Sequence, residues 1–157
     1  SVGEGGDIGV GYDNWRKALE HVEDTGMRVL VENTAGGKNS VARYMDSIER
    51  LWEVIGHLNV GLCLDTCHTW AGGIPTIEAV KGFKKLVKKI DLIHFNDSKD
   101  GFESSRDRHE NLGKGKIPKE ELEYVIKNAK TDIIVETPNG PDAQKKDIAW
   151  IRRRLKK

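Results

Sequence analysis

Acidic and histidine side chains follow short apolar runs of this sequence, at points where buried strands would end. Four such residues close the runs VLVE, GLCLD, LIH and IIVE: Glu32, Asp65, His94 and Glu136. Because the carboxyl ends of neighbouring parallel strands share one pocket, we expect these side chains to converge. A mixed set of carboxylate and imidazole ligands suits Zn²⁺, Mn²⁺ or Fe²⁺. The sequence therefore predicts a divalent metal site at this end of the strands.

A second group of potential ligands lies in the segments that follow two of these strands. His68 comes only three residues after Asp65, so the two side chains cannot easily serve one ion. Asp107 and His109 have D-x-H spacing, which places both on the same side of an extended chain. We expect His68, Asp107 and His109 to form a second site with an open position for water or phosphate. A carboxylate that bridges two ions would explain why the acids outnumber the histidines.

Each of these residues, taken singly, has an ordinary structural explanation as a cap or a packed polar group. Their joint occurrence at strand ends favours a metal site. His21 and His57 lie on or near predicted helices and are excluded from it. Cys63 and Cys67 are predicted to be buried thiols near the site, because zinc–thiolate sites usually use paired spacings.

Basic and aromatic residues close to these ligands could contact a phosphate or a nucleoside. Arg106 and Arg108 flank Asp107, and a Gly-Lys-Gly-Lys segment follows with Lys114 and Lys116. This segment lacks the spacing of a P-loop, but its lysines and backbone N–H groups could approach a phosphate. Trp70 follows His68 closely and could stack on a base or sugar, or it could pack in the core.

The elements that must position these residues alternate regularly between strand and helix. Apolar periodicity predicts four strands, at 27–33, 59–65, 91–97 and 132–137. It predicts helices at 13–24, with Asp13 as N-cap, and at 40–57, 75–89, 118–129 and 141–155. The alternation indicates an α/β fold of TIM-barrel type in a single domain over residues 1–157.

Four strand–helix units make only half of an eight-fold barrel, and both edge strands would lack a partner. Three arrangements are compatible with the sequence: the second half of a longer domain, two self-associating copies, or an open sheet. Residues 1–14 are rich in glycine and resemble the loop after a preceding strand.

Composition limits the function only mildly. The chain has 157 residues and a formal net charge of +1, so overall charge does not indicate a nucleic-acid binder. No apolar run is long enough to span a membrane, and no signal-peptide pattern opens the sequence. We expect a cytoplasmic protein that acts away from membranes.

Several motifs, in this order along the chain, closely resemble those of the endonuclease IV family of metal-dependent apurinic/apyrimidinic endonucleases. The motifs cover most of the sequence: VENTAGG (31–37), GLCLDTCHTWAGG (61–73), HFNDSK (94–99), SRDRHENLGKGKI (105–117) and VETP (135–138). The D-T-C-H, H-x-N-D-S-K and D-R-H elements are specific in combination. The resemblance implies a (β/α)₈ barrel, of which this chain corresponds to the last four units.

The resemblance also implies a base-excision-repair activity that hydrolyses the phosphodiester 5′ to an abasic site in double-stranded DNA. It implies up to three zinc ions, with Mn²⁺ as an alternative, and a role for Glu32 and Glu136 in orienting the attacking water. It assigns the ligands as follows: Glu32 as a bridging carboxylate, Asp65, His94 and Glu136 on one zinc, and His68, Asp107 and His109 on another.

The sequence departs from this family at its start. The family's remaining zinc uses two histidines from the third and fourth barrel strands, and these have no counterpart here; residues 1–3 resemble the loop after the second of them. Two alternatives therefore stay open beside the DNA endonuclease. One is a sugar isomerase or epimerase related to xylose isomerase, and the other is a metal-binding half-barrel that is inactive alone.

Overall fold

The computed structural model describes residues 7–156, which form a parallel four-stranded sheet with helices between successive strands. Its strands are β1 (Val29–Glu32), β2 (Val60–Asp65), β3 (Leu92–His94) and β6 (Asp132–Ile134), while β4 (Asp97–Ser98) and β5 (His109–Glu110) form a separate short sheet. The order in the four-stranded sheet is β1-β2-β3-β6. The helices are α1 (Ile8–Glu23), α2 (Met45–Ile55), α3 (Thr66–Gly72), α4 (Thr76–Val87), α5 (Lys119–Ala129) and α6 (Gly140–Leu155). This architecture confirms the predicted α/β fold of TIM-barrel type.

The parallel register aligns the ends of the strands. Glu32 pairs with Cys63, Asp65 pairs with His94, and His94 in turn pairs with Ile134. The central strand β2 is buried at every position. Among residues 7–156, β1 and β6 each pair with one strand only, so the sheet is open at both edges.

The core lies between the sheet and the helices that return along it. Helices α2, α4 and α5 bury apolar residues with helical spacing, which explains why the amphipathic pattern located all three. Most of the largest fully buried side chains come from these helices and from the strands: Val31, Ile48, Leu51, Ile55, Leu62, Leu64, Phe83, Ile93 and Leu122. Three more lie in the connecting segments: Val41, Ile90 and Phe95. No helix within residues 7–156 is long and apolar enough to cross a membrane.

The prediction of a loop over residues 1–14 was wrong from residue 8 onward. Helix α1 begins at Ile8, because the Asp7 carboxylate accepts a hydrogen bond from the Gly9 amide at 2.8 Å and caps the helix. Asp13 is therefore not an N-cap; it lies inside the helix and pairs with Lys17 at 2.9 Å. Residues 1–3, which resemble a family loop, lie outside the described part of the chain.

Helix α2 begins at Met45 and not at residue 40, as the apolar pattern predicted. The preceding segment is hydrogen-bonded to the start of the same connection, to the end of α3 and to the loop that contains Ser105. The Thr34 amide donates to the Ala42 carbonyl at 2.9 Å, and the Arg43 guanidinium donates to the Gly72 carbonyl at 3.2 Å and to Ser105 Oγ at 2.8 Å. In a helix that began at residue 40, the Ala42 carbonyl would accept a hydrogen bond from the amide four residues later. It accepts from Thr34 instead, so the helix starts after this segment.

Two elements were absent from the prediction. Helix α3 follows β2 directly, and a two-stranded antiparallel sheet joins β4 (Asp97–Ser98) to β5 (His109–Glu110). The predicted strand at 91–97 therefore divides into β3 and β4. This β4–β5 hairpin brings the loop of the D-R-H motif back beside the strand that carries His94.

Candidate metal centre

The first predicted ligand set lies together at the carboxyl ends of the four parallel strands. One ligand atom from each of these residues falls within 4.8 Å of all the others: Glu32, Asp65, His94 and Glu136. His94 Nδ1 lies 3.0 Å from Glu32 Oε1 and 3.3 Å from Glu136 Oε2. The aligned strand ends explain this convergence, because each ligand stands at or just beyond the end of its strand.

In the second predicted set, His68 and His109 lie on either side of the Asp107 carboxylate. Its Oδ2 lies 3.1 Å from His68 Nε2, and its Oδ1 lies 3.0 Å from His109 Nε2. Both imidazoles also approach Asp65 Oδ2, at 4.0 Å and 3.7 Å respectively. The two ligand sets are thus adjacent, and the buried carboxylate of Asp65 stands between them.

The structure corrects the argument that Asp65 and His68 are too close in sequence to face one ion. Asp65 is the N-cap of α3, and its carboxylate accepts a hydrogen bond from the His68 amide at 2.9 Å. A helix start places residues three apart on the same side. Asp65, His68 and His109 accordingly form a group with ligand atoms within 4.8 Å of one another.

Two histidines have one ring nitrogen fixed by a carbonyl and the other facing the carboxylates. His68 Nδ1 donates to the Asn33 carbonyl at 2.8 Å, and His109 Nδ1 donates to the Glu136 carbonyl at 3.2 Å. Within residues 7–156 the Nε2 atoms of both rings are buried and face the Asp107 carboxylate, at 3.1 Å and 3.0 Å, without forming a hydrogen bond. A divalent cation would satisfy both nitrogens, and carbonyl-oriented imidazoles are typical metal ligands. The residues present therefore fit a metal centre.

The electrostatics of the cluster also favour a bound cation. Burial raises the pKa of Asp65 above its ordinary value. Burial alone would lower the pKa of His68, but the carboxylates of Asp65 and Asp107 outweigh it and raise that pKa. Four carboxylates crowd around three imidazoles, so a positive charge placed between them is stabilised.

The sequence analysis missed two buried asparagines that orient the ligands. Asn33 accepts from the Asp65 amide at 2.8 Å. Asn96 donates to Asp65 Oδ2 at 3.0 Å and accepts from the Glu136 amide at 2.9 Å. Asn33 directly follows a ligand and Asn96 comes two residues after one, and an amide just beyond a strand-end ligand is the signal that could have identified them.

Both cysteines lie beside the ligands, as predicted, and both are buried. Burial is the main cause that raises the pKa of each thiol, Cys63 and Cys67, to about 12. Without a metal they are therefore uncharged thiols at neutral pH. Each sulfur nevertheless lies within 4.8 Å of ligand atoms, Cys63 beside Glu32 and His94, and Cys67 beside Asp107 and His109. His21 and His57 are exposed and stand apart from both ligand sets.

The residues predicted to contact DNA are exposed, except Trp70, which is partly buried. Trp70 Nε1 donates to the Asp100 carbonyl at 3.0 Å, and its ring packs edge-on against Phe102 at 5.1 Å. Arg108 binds the Asp100 carboxylate, with Nε at 2.8 Å, and Arg106 lies 3.8 Å from it. Further along the chain, two exposed lysines complete the set: Lys114 and Lys116.

The fold and the centre together define a TIM-barrel-type α/β protein whose potential metal ligands stand at the strand carboxyl ends. The family described as xylose isomerase-like TIM barrel matches residues 6–154, and the chain belongs to that family. The resemblance to the endonuclease IV family is confirmed by similar proteins. A Mycobacterium tuberculosis protein named probable endonuclease 4 is 47% identical over 153 residues, which are 98% of this chain and 60% of that protein.

Solved structures agree with this family. Endonuclease IV from Thermus thermophilus superposes with a TM-score of 0.75 and 29% identity, over 96% of this chain and 58% of the other. A D-tagatose 3-epimerase-like protein superposes with a TM-score of 0.68 and 18% identity, over 95% of this chain and 54% of the other. The second match shows the shared fold alone. The chain spans about 60% of the length of the curated relative it matches.

Proposed function

We propose that this chain carries the catalytic metal centre of an apurinic/apyrimidinic endonuclease, which hydrolyses the phosphodiester 5′ to an abasic site in double-stranded DNA. One observation supports this most: a second, histidine-rich ligand set adjoins the carboxylate-rich set at the strand ends. Relatives named probable endonuclease 4 support the same reaction class.

Seven residues would hold zinc in this proposal. Glu32, Asp65, His94 and Glu136 would form one site, and His68, Asp107 and His109 the adjacent one. When bound, divalent ions neutralise a phosphate and lower the pKa of water towards ~7. The Nε2 atoms of His68 and His109 support this ligand assignment, because both face the Asp107 carboxylate without a hydrogen bond.

The other residues would position the DNA. An abasic nucleotide must leave the helix before its phosphodiester can reach a centre at the strand ends, and bending the duplex helps to expose it. Glu32 and Glu136 are 35% and 41% exposed, so their carboxylates are accessible for orienting the attacking water. In-line attack of this water on the phosphorus would break the bond to the 3′-oxygen. The products would be a 3′-hydroxyl and a 5′-deoxyribose phosphate.

Arginine and lysine side chains near the centre would bind the phosphates on either side of the cleaved bond. Arg106 and Arg108 stand on either side of the ligand Asp107, and the lysines at 114 and 116 follow His109. Trp70 could support this surface from below, because its partly buried ring packs against the exposed Phe102.

A nicking assay tests the proposal. A duplex with one abasic site, labelled at its 5′ end, should be cut immediately 5′ to the site, and EDTA should abolish the cut. Glu136→Gln should abolish it as well, whereas Glu49→Gln, an exposed glutamate on α2, should not. Cleavage that persists without metal, or that occurs equally in an undamaged duplex, would contradict the proposal.

The two alternatives give different results in parallel assays. A sugar isomerase or epimerase would interconvert ketoses and aldoses or their epimers and would leave the DNA intact. A half-barrel that requires a partner would bind metal without cutting, and sedimentation velocity would show whether the chain self-associates through β1 and β6. The D-R-H loop favours the endonuclease, because its Asp107 and His109 join His68 of α3 in a separate histidine–aspartate–histidine set.

A further inference from the structure

The loop at residues 113–117 carries five consecutive backbone N–H groups, and all five have partners within the protein. Those of Gly113 and Gly115 donate to Asp97 Oδ2, both at 3.0 Å, and that of Ile117 donates to Asp97 Oδ1 at 3.1 Å. The remaining two, of Lys114 and Lys116, donate to the carbonyls of Asn111 and Ser98 at 3.1 Å and 2.8 Å. One carboxylate therefore accepts three of the five.

This arrangement corrects the expectation that the backbone of the loop could bind a phosphate. An anion already occupies the concave side of the loop, and that anion is the side chain of Asp97. The carboxylate is fully buried and accepts a fourth N–H bond, from Ser98, at 2.8 Å. Only the side chains of Lys114 and Lys116, which are exposed, remain available for an external anion.

The contact between the loop and this carboxylate is close. A Cβ atom added at Gly115 would overlap the Asp97 carboxylate and the Ser98 carbonyl oxygen. Gly115 does not have a positive φ, so glycine is needed there because a side chain would not fit, and not because of the backbone conformation. This close packing and the hydrogen bonds to Asp97 hold the loop against β4.

The same short strand also connects the loop to the metal centre. Asp97 pairs with Glu110, and Ser98 pairs with the predicted ligand His109 in the β4–β5 hairpin. The lysine loop therefore has a fixed position relative to His109. A buried carboxylate that fixes both is well placed to set where the lysine ammonium groups stand.

We infer that Asp97 is a positioning residue for DNA binding: by occupying the concave side of the 113–117 loop, it holds Lys114 and Lys116 where they bind phosphates beside the metal centre. The inference rests on the proposed function, because it takes DNA as the ligand. Asp97 does not touch the substrate, and it acts only through the two lysines.

Salt-dependent binding of a fluorescently labelled, undamaged duplex tests this inference, because the proposed reaction does not cut that duplex. Log K falls as log[salt] rises, and each lost lysine–phosphate contact lowers the magnitude of this negative salt slope by about 0.9. Lys114→Gln with Lys116→Gln should therefore lower this magnitude by roughly 1.8. Asp97→Asn and Gly115→Ala should each lower it by a similar amount, and arginine at both lysine positions should preserve it.

A double-mutant cycle shows whether Asp97 acts through the lysines. Adding Asp97→Asn to the double glutamine variant should cause no further loss of affinity, whereas independent effects would add. Gly101→Ala, in the adjoining loop, is the matched control, because a Cβ atom added there would meet no atom within 4 Å. Metal content and melting temperature are measured for every variant.

Three results would overturn the inference. The first is an unchanged salt slope in Asp97→Asn and Gly115→Ala while the wild-type chain binds the duplex. The second is full additivity with the lysine substitutions, and the third is loss of metal in step with the loss of affinity. Absence of salt-dependent DNA binding by the wild-type chain would overturn the proposed function together with the inference.

Discussion

Replacing Asp107 with alanine should remove one metal ion from the centre and leave the fold intact. The carboxylate is 54% exposed and approaches two imidazole nitrogens, at 3.1 Å and 3.0 Å. Removing an exposed loop side chain should change the free energy of unfolding of the metal-free protein by at most about 0.5 kcal/mol.

The metal-bound protein should respond much more strongly. A site occupied at about a hundredfold excess of free metal over its Kd stabilises the folded state by about 2.7 kcal/mol. For a domain of this size each kcal/mol corresponds to about 2–4 °C, so Asp107→Ala should melt roughly 5–11 °C below the wild type in buffered zinc. In EDTA the two melting temperatures should nearly coincide.

Elemental analysis and calorimetry measure these two quantities on the same samples. Glu103→Ala is the control, because Glu103 is an exposed acid in the same loop and belongs to neither ligand set. The control should keep the wild-type metal content and melting temperature. Unchanged metal content in Asp107→Ala, or an equal loss of stability with and without metal, would refute the assignment of the second site.

Three further predictions concern the scaffold. Leu51→Ala should lower the unfolding free energy by about 2–5 kcal/mol in urea titration, because Leu51 is fully buried, whereas Leu155→Ala at an exposed position should have little effect. Cys63 and Cys67 should resist a thiol reagent in the folded protein and react in concentrated guanidinium, because burial raises the pKa of each thiol to about 12; prompt labelling of the native chain would be inconsistent with this. Arg43→Ala should cost about 1–3 kcal/mol, because it leaves a buried carbonyl without its donor, and an unchanged melting temperature would show that water replaces it.

Local sequence patterns located the elements that depend on local physics. Apolar runs placed β1 and β2, and with them the positions of Glu32 and Asp65, because consecutive β-branched and aliphatic residues predict a strand. The predicted burial holds for all of β2, whereas β1, at the edge of the sheet, buries only Val31. The spacing of apolar residues in α4 and α5 likewise located these two helices. The convergence of the ligands followed from one rule about parallel strand ends.

The features that were missed depend on contacts between distant residues. The pattern of α2 extends back to residue 40, but the hydrogen bonds of Arg43 to Gly72 in α3 and to Ser105 hold that segment out of the helix. The β4–β5 pairing joins segments about ten residues apart whose two-residue strands have no periodicity of their own. The role of Asp97 required knowing which backbone groups a loop presents to it.

The aligned strand ends determine where this chain can tolerate insertions and deletions. One residue added inside β2 would turn Asp65 to the opposite face of the sheet and separate it from His94, its register partner. The same residue added to the turns that precede the strands, such as 56–59, would lengthen the chain at the end remote from the metal ligands. Changes of length among related sequences should therefore concentrate at that end, and a natural insertion within β2 would be inconsistent with this centre.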